Sequence, residues 1–196
     1  MSGETGEFHS AQRGLARHPD GEFVKGPLDG RYGVQVTRAM ALHRKIDPFT
    51  DAHPLALRSK ARVSSERRRY AGIMIDMFYD HFLAKHWRDF HHEPLDMFIP
   101  RFYELFLRNH PLLPARLQRV APIMAQEDWL GSYAEPGAVR IALDRMGRRL
   151  KRENRLLGSA DDLVENYELL EPDVRAFLSD ALRFARGHHA RPVTPE

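Results

Sequence analysis

Apolar residues recur at helical spacing along most of this chain. Side chains three and four positions apart share one face of a helix, so the pattern predicts an all-α protein. Prolines and glycines divide the pattern into about seven or eight helices. The predicted helices span Val34–Ile46, Ala56–Arg69, Ile73–Trp87, Pro94–Asn109, Leu112–Ala125, Val139–Leu157, Ala160–Leu170 and Pro172–Arg186.

A few positions decide where these helices end. Pro48 disfavours helical geometry at the preceding residue, so we expect the first helix to end or kink at Asp47. Trp129–Tyr133 is expected to form a turn or a short helix. Gly158 is a suitable stop for the helix over Val139–Leu157. On that helix, the residues expected to face inward are Ile141, Met146 and Leu150.

The segment Ile73–Trp87 has apolar residues on nearly all sides, which predicts a central helix. No stretch of useful length alternates apolar and polar residues as a strand does, and the sequence has no internal repeat. We therefore expect a single-domain helical bundle over residues 21–187. Residues 1–20 lack a helical pattern and are expected to be loosely ordered, and residues 188–196 are expected to form a frayed tail.

Composition narrows the class of protein. No apolar run approaches the roughly 18–20 residues that a membrane-spanning helix requires. Residues 1–20 have no apolar segment of the kind found in a signal peptide. The absence of cysteine excludes disulfides, thiolate-bound zinc and cysteine nucleophiles, and it agrees with a cytoplasmic location.

Two groups of acidic and histidine residues have the spacing of a metal site. They are His43, Asp47 and Asp51 at every fourth position, and Asp76, Asp80 and His81 on the predicted central helix. A carboxylate inside a buried helix is costly unless it is paired or binds a metal, which favours a functional role for Asp80 and His81. Structural roles stay open for the others, with Asp47 and Asp51 as helix caps and Asp76 as the partner of an arginine.

The types of ligand suggest a metal and a reaction. Imidazole and carboxylate ligands without thiolates suit Mn²⁺, Fe²⁺ or Zn²⁺, and a carboxylate-rich site favours Mn²⁺ or Mg²⁺. Such an ion activates a bound water and stabilises charge on a phosphoryl oxygen. The sequence has no Walker loop, no dinucleotide-binding glycine motif and no nucleophile-elbow motif. Metal-assisted hydrolysis of a phosphoester is the simplest enzyme class that fits.

Basic residues concentrate in two groups, although the net charge is only +3. One group lies between Arg58 and Arg69, and the second spans Arg140–Arg155. Each group is either a solvated helix face or a docking surface for an acidic protein or a nucleic acid. Nucleic-acid readers interleave aromatic residues with such charges, and only Tyr70 adjoins the first group. This favours an acidic protein as the partner, and we expect neither a nucleic acid nor a membrane.

Three motifs carry a resemblance to a known family. The sequences LHRKIDPFTDAHP and RRRYAGIMIDMFYDHFLAKHW, preceded by GEFVKG, resemble those of the acyl carrier protein phosphodiesterases. The resemblance is good over residues 21–87 and looser over the helical remainder. That family is similar to the HD-type metal-dependent phosphohydrolases, so the resemblance implies an HD-like fold built around histidine and aspartate ligands.

The resemblance also implies a reaction and its residues. Family members remove 4′-phosphopantetheine from holo-acyl carrier protein, a small acidic protein, with a divalent cation, most often Mn²⁺. The implied metal ligands are His43, Asp80 and His81, followed by Asp47, Asp51 and Asp76. The implied catalytic residues are Asp80 and Glu22, which stands where the family motif GDFVKG has an aspartate. The implied substrate-binding residues are Arg44 and Lys45 at the phosphate and Arg67, Arg68 and Arg69 at the carrier.

Two other functions stay open. One is a carrier-binding protein without catalytic activity, because Glu22 is one methylene longer than aspartate and residues 1–20 lack the family's apolar, histidine-containing first helix. The other is a metal phosphohydrolase that acts on a small phosphoester.

Overall fold

A computed structural model describes residues 33–113, 115–150 and 154–189 of the chain. These residues form ten α-helices and two 3-10 helices, and no strand occurs among them. The prediction of an all-α fold is therefore confirmed, whereas the HD-like arrangement stays a prediction. None of the helices in the described ranges is long and apolar enough to cross a membrane. The predictions for residues 1–20, for Glu22 and for residues 190–196 fall outside the described residues. Residues 188 and 189, predicted to begin a frayed tail, are helical instead.

The helices follow one another with short connections. In chain order they are α1 (Gly33–Ala52), α2 (Pro54–Arg62), α3 (Ala71–Lys85), α4 (Trp87–Phe90), α5 (Leu95–Arg108), α6 (Ala115–Gln126), α7 (Trp129–Ser132), α8 (Pro136–Arg149), α9 (Asp161–Glu165) and α10 (Tyr167–His189). The 3-10 helices are Ser65–Tyr70, between α2 and α3, and His110–Leu112, between α5 and α6.

Helix α3 lies at the centre of the bundle, as its all-round hydrophobicity predicts. Met74 and Phe82 are fully buried, and Phe78 between them is 1% exposed. Helix α10 packs against α1, α2 and α3, and α8 packs against α3. Polar side chains on α3 are consequently carried into the core with its apolar ones.

A second hydrophobic cluster lies where α5 packs against α6. Phe98, Phe102 and Phe106 recur every fourth residue on α5 and form one buried face. They pack with Trp87 of α4 and with Met124 of α6. This cluster borders the face of α3 that carries Asp80.

Helix α1 does not end at the position expected from Pro48. It continues through the proline to Ala52, although proline removes one backbone hydrogen bond from a helix. Tertiary packing holds the turn that follows. Thr50 is buried, and the ring of Phe49 stacks on that of Phe184 of α10 at 4.3 Å between centroids.

The prediction of a single helix over Ala56–Arg69 is wrong, because α2 ends at Arg62. Val63 is extended, with ψ of 133°, and its side chain is buried. The backbone N–H of Ser64 donates to the Asp162 carboxylate at 2.8 Å. A carboxylate from a distant helix thus satisfies the backbone at the break, which local sequence does not reveal.

The helix predicted over Val139–Leu157 is also too long. Helix α8 begins at Pro136 and ends at Arg149. The side chain of Asn154 then donates to the carbonyl oxygen of Gly147 at 2.9 Å, which brings the chain back against the helix.

The inner face of α8 differs from the one expected. Ile141 is 54% exposed, whereas Val139 and Leu143, four residues apart, are fully buried. Gly158 lies in the loop after α8 at a φ of 73°, a conformation that favours glycine, and does not stop the helix.

The last predicted boundary is displaced by a few residues. The break expected at Pro172 occurs at Asn166, between α9 and α10. The Asn166 side chain donates to the carbonyl oxygen of Asp162 at 3.0 Å, which satisfies the backbone where α9 ends. Pro172 lies inside α10.

Candidate functional site

Three polar residues of α3 are buried in the centre of the bundle. Asp76, Asp80 and His81 are 7%, 5% and 0% exposed. Asp76 and Asp80 are four residues apart and share one side of the helix. The two aspartates nevertheless line different cavities.

Asp76 lines a cavity of about 60 Å³ between α1, α2, α3 and α10. Most of its wall is apolar, and its polar lining residues are Thr50, Lys60, Asp76, Tyr79 and His91. A mainly apolar wall with a few polar groups is a feature of small-molecule sites. The Tyr79 hydroxyl donates to the Ser59 hydroxyl at 3.0 Å. Burial raises the pKa of Tyr79 to about 12, so this hydroxyl keeps its proton near neutral pH.

Asp80 lines a second cavity of about 40 Å³, on the side of α3 that faces α5. Phe98 and Phe102 of α5 and Tyr133 after α7 form part of its wall. Burial raises the pKa of Tyr133, and the nearby Asp80 carboxylate raises that pKa further. Asp80 thus presents a carboxylate to an apolar space with a phenol beside it.

His81 uses both ring nitrogens within the fold. Nδ1 lies 2.8 Å from the carbonyl oxygen of Tyr133, and Nε2 lies 2.7 Å from the hydroxyl oxygen of Tyr167. A carbonyl oxygen only accepts, so Nδ1 is the donor. Burial lowers the pKa of His81, which leaves the ring neutral and Nε2 as the acceptor from Tyr167. A metal ion at His81 would require one of these hydrogen bonds to break, and its role as a ligand stays a prediction.

The other predicted ligands lie on α1. His43 is 6% exposed, and its Nδ1 lies 3.1 Å from a carboxylate oxygen of Asp47. The continuation of α1 through Pro48 is what places these two residues on one face. The carboxylate of Asp51 accepts from Lys60 of α2 at 3.2 Å.

The described residues do not by themselves complete a metal site. Within residues 33–113, 115–150 and 154–189, no group of three histidine, aspartate or glutamate side chains is placed to hold one ion. The pair His43–Asp47 and the buried Asp76 and Asp80 supply ligand types that suit Mn²⁺. Glu22, the remaining predicted catalytic carboxylate, lies outside the described residues.

The predicted arginine cluster divides into two kinds of residue. The Arg67 guanidinium donates to Asp162 at 2.7 Å and is half-buried. Arg68 and Arg69 are exposed. At the predicted phosphate-binding positions, Arg44 is half-buried and Lys45 is exposed.

Sequence reasoning missed Asp173, which is buried on α10. Its carboxylate accepts from Arg58 and Arg62, which share one face of α2. Burial acts to raise the pKa of Asp173, but hydrogen bonds from Arg58 and Arg62 outweigh it, and the pKa of Asp173 is lowered. From the sequence, Arg58 and Arg62 were assigned to a basic surface. No local signal connects them to Asp173, which lies more than a hundred residues away.

Comparison with known proteins identifies a family. The model of the acyl carrier protein phosphodiesterase family matches residues 19–181. An acyl carrier protein phosphodiesterase of Serratia proteamaculans is 34% identical over 168 residues, which cover 84% of this chain and 86% of the relative. One of Yersinia enterocolitica is 32% identical over 80% of this chain and 81% of the relative. One of Klebsiella pneumoniae is 29% identical over 90% of this chain and 92% of the relative. No solved structure matches the chain.

Proposed function

Because the chain belongs to the acyl carrier protein phosphodiesterase family, we propose that it hydrolyses the phosphodiester between 4′-phosphopantetheine and a serine of holo-acyl carrier protein. The products are the apo-carrier and free 4′-phosphopantetheine. The observation that carries this proposal is the family match over residues 19–181. That range includes α1 to α9 and most of α10, with all the predicted site residues.

The reaction needs a proton acceptor and a proton donor. Water attacks phosphorus, the bond from phosphorus to the serine oxygen breaks, and the serine oxygen takes up a proton. A carboxylate can accept the proton of the attacking water. Asp80 is our first candidate for this role, because it is a buried carboxylate that lines a cavity. Glu22, at the position of the family's motif aspartate, is our second.

We propose Mn²⁺ as the cofactor on the basis of ligand type. His43 and Asp47 on α1 and Asp76 on α3 are candidate ligands by residue type, with Asp80, Asp51 and His81 as further candidates; no three of them within the described residues are placed around one ion. When bound, such an ion supplies a water of lowered pKa and positive charge near the phosphoryl oxygens. Metal binding can be measured without turnover, by calorimetric titration of the chelator-treated protein with Mn²⁺. Asp47→Asn should weaken that binding, whereas Asp96→Asn, an exposed change on α5, should not.

The substrate accounts for the basic surface. An acidic carrier is attracted by exposed basic residues, and Lys45, Arg68 and Arg69 are exposed. A cytoplasmic location belongs to this proposal and agrees with the absence of cysteine.

The direct test is conversion of the carrier. Purified protein is incubated with holo-acyl carrier protein and Mn²⁺, and intact-mass spectrometry separates the holo from the apo form. Conversion supports the proposal. Binding without conversion would favour a non-catalytic carrier-binding protein. Cleavage of a generic phosphodiester without conversion of the carrier would favour a small-molecule phosphohydrolase.

Asp80→Asn tests the catalytic residue. Removal of a general base should lower kcat by roughly 100- to 10,000-fold, while carrier binding stays largely intact because Asp80 is buried below the surface. Asp96→Asn is the matched control and should leave kcat unchanged. Circular dichroism and carrier binding show whether the Asp80 variant is folded. Normal turnover by a folded Asp80 variant would remove this residue from the mechanism.

A further inference from the structure

The two basic groups of the sequence meet at one place on the surface. Arg67, in the 3-10 helix Ser65–Tyr70, donates from Nε to the backbone carbonyl of Arg155 at 3.2 Å. Its Nη1 donates to Asp162 at 2.7 Å. Arg67 therefore joins the 3-10 helix to the loop 154–158, which follows α8. Residues far apart in the sequence become neighbours through this one side chain.

The loop 154–158 is fixed in place from the side of α8. Asn154 donates to the carbonyl oxygen of Gly147 at 2.9 Å and accepts from the N–H of Leu156 at 3.1 Å. The N–H of Gly158 donates to Asp144 of α8 at 2.9 Å, and Leu156 is buried at 2% exposure. A loop tied at both ends loses little conformational entropy when a partner binds it.

The exposed side chains around this junction are basic and apolar. Arg155 is exposed, and Leu157, two residues on, is 47% exposed. Successive residues of a 3-10 helix are about 120° apart, so Arg68 and Arg69 project to either side of the direction that Arg67 takes inward. Both are exposed.

Four described acidic residues lie at this junction, and two of them, Asp144 and Asp162, accept from the N–H of Gly158 and from Arg67. Glu66 is 54% exposed and lies 3.7 Å from Arg67. Asp161 on α9 is paired with Arg140 at 2.6 Å. The surface therefore keeps an excess of positive charge around one exposed leucine.

We propose that Arg68, Arg69, Arg155 and Leu157 form one docking surface for an acidic protein, the carrier of the proposed reaction. This inference rests on the proposed function for the identity of the partner. The arginines provide charge complementarity to an acidic surface, and Leu157 provides the apolar contact that interfaces bury near their centre. Arg67 is a positioning residue, because it holds the two halves of the surface together and its own charge is already paired.

The position of this surface suits the reaction. The scissile bond lies at a serine on the carrier's surface, so the catalytic carboxylates must lie close to the docked carrier. Helix α3 starts at Ala71, directly after the 3-10 helix that carries Arg68 and Arg69. Asp76, a candidate metal ligand, follows five residues later, about 7.5 Å along the helix axis, and Asp80, the first catalytic candidate, nine residues later, about 14 Å along it.

The test compares single substitutions in the full-length protein. Arg155→Glu should raise KM for holo-carrier by about five- to tenfold, with a weaker dependence of KM on salt and kcat changed by less than about twofold. Leu157→Ser should raise KM by about threefold or more, without a change in the salt dependence. Arg119→Glu is the matched control. It is an exposed arginine on α6, which packs against α5 and α7, and its KM should stay close to that of the parent.

Binding is measured separately, by fluorescence anisotropy of labelled holo-carrier, so that the inference is tested even if the parent protein does not convert the carrier. Loss of binding in Arg155→Glu but not in Arg119→Glu supports the surface. Equal binding by both variants overturns it, even if conversion by the parent protein succeeds. A labelled single-stranded oligonucleotide is titrated in parallel. If Arg155→Glu weakens binding of the oligonucleotide and not of the carrier, the surface binds nucleic acid and the inference is wrong.

Discussion

At the scale of a single residue, the buried imidazole of His81 connects three parts of the fold by hydrogen bonds. It joins α3 to the residue after α7 through Tyr133 and to the start of α10 through Tyr167. Only the neutral ring can donate from Nδ1 and accept at Nε2. Burial lowers its pKa, so the folded protein resists protonation at this site.

This predicts a pH dependence of stability. The unfolded chain takes up a proton at His81 near pH 6.5, whereas the folded protein takes it up only at lower pH. The contribution of His81 is thus complete above about pH 6.5 and is lost as the pH falls below it. Urea unfolding of the parent and of His81→Gln at pH 8, 6.5 and 5 should show a smaller loss of stability for the variant on acidification.

Tyr167→Phe is the control for this prediction. It removes the hydroxyl donor and leaves the imidazole, so it should cost about 1 kcal/mol in unfolding free energy at pH 8. Most of the parent's pH dependence should remain, because burial of the ring is the main cause of its lowered pKa. If His81→Gln shows the same pH dependence as the parent, titration of His81 does not contribute.

The sequence was sufficient to predict that Asp80 and His81 are buried, but not which residues they contact. A carboxylate–imidazole pair inside the most apolar helix marks Asp80 and His81 as special, and both are buried. The partners of His81 were not predictable, because Tyr133 and Tyr167 lie 52 and 86 residues away. No periodic pattern connects positions so far apart.

At the scale of elements, the existence of the helices was predictable and several of their ends were not. The central helix follows from its apolar composition. The breaks after Arg62 and Arg149 depend on Asp162 and Asn154, side chains that meet these segments only in the folded protein. Continuation of α1 through Pro48 likewise depends on packing against α10, which offsets the local preference.

The junction at Arg67 gives a prediction at this scale. Arg67→Met removes the links from the 3-10 helix to Asp162 and to the loop 154–158. Ser64 still donates to Asp162 from its backbone, so the cost should be moderate, about 1–2 kcal/mol in unfolding free energy. Arg68→Met makes the same change at the adjacent exposed position and should stay within about 0.5 kcal/mol of the parent. Equal destabilisation by the two variants in urea unfolding would show that Arg67 does not hold this junction.

At the scale of the whole molecule, α10, the last described helix, packs against the first three helices of the described chain. Asp173 anchors it to α2 through Arg58 and Arg62. The all-α bundle was predictable because helical periodicity recurs and strand-like alternation does not. The ion pairs that join its ends were not, because one sequence does not show which acid meets which arginine.

Asp173 therefore makes the bundle sensitive to acid. Hydrogen bonds from Arg58 and Arg62 outweigh the effect of burial and lower its pKa. A carboxyl whose folded pKa is lowered contributes stability above its unfolded pKa, near 3.9. That contribution is lost as the pH falls through the folded value, so the window lies below about pH 5.

Asp173→Asn should lose about 2 kcal/mol of unfolding free energy at pH 7, because two guanidinium groups lose a charged acceptor. The difference from the parent should shrink as the pH falls from 5 to 2, where the parent loses the same charge.

Asp89→Asn is the matched control, since Asp89 also joins α10 to another helix, through Arg175 at 2.7 Å, but is 45% exposed. An exposed pair is worth little, so this variant should follow the parent at every pH. Urea unfolding at a series of pH values compares the three proteins. A constant difference between parent and Asp173→Asn from pH 7 to pH 2 would mean that the charge of Asp173 does not hold α10 to α2.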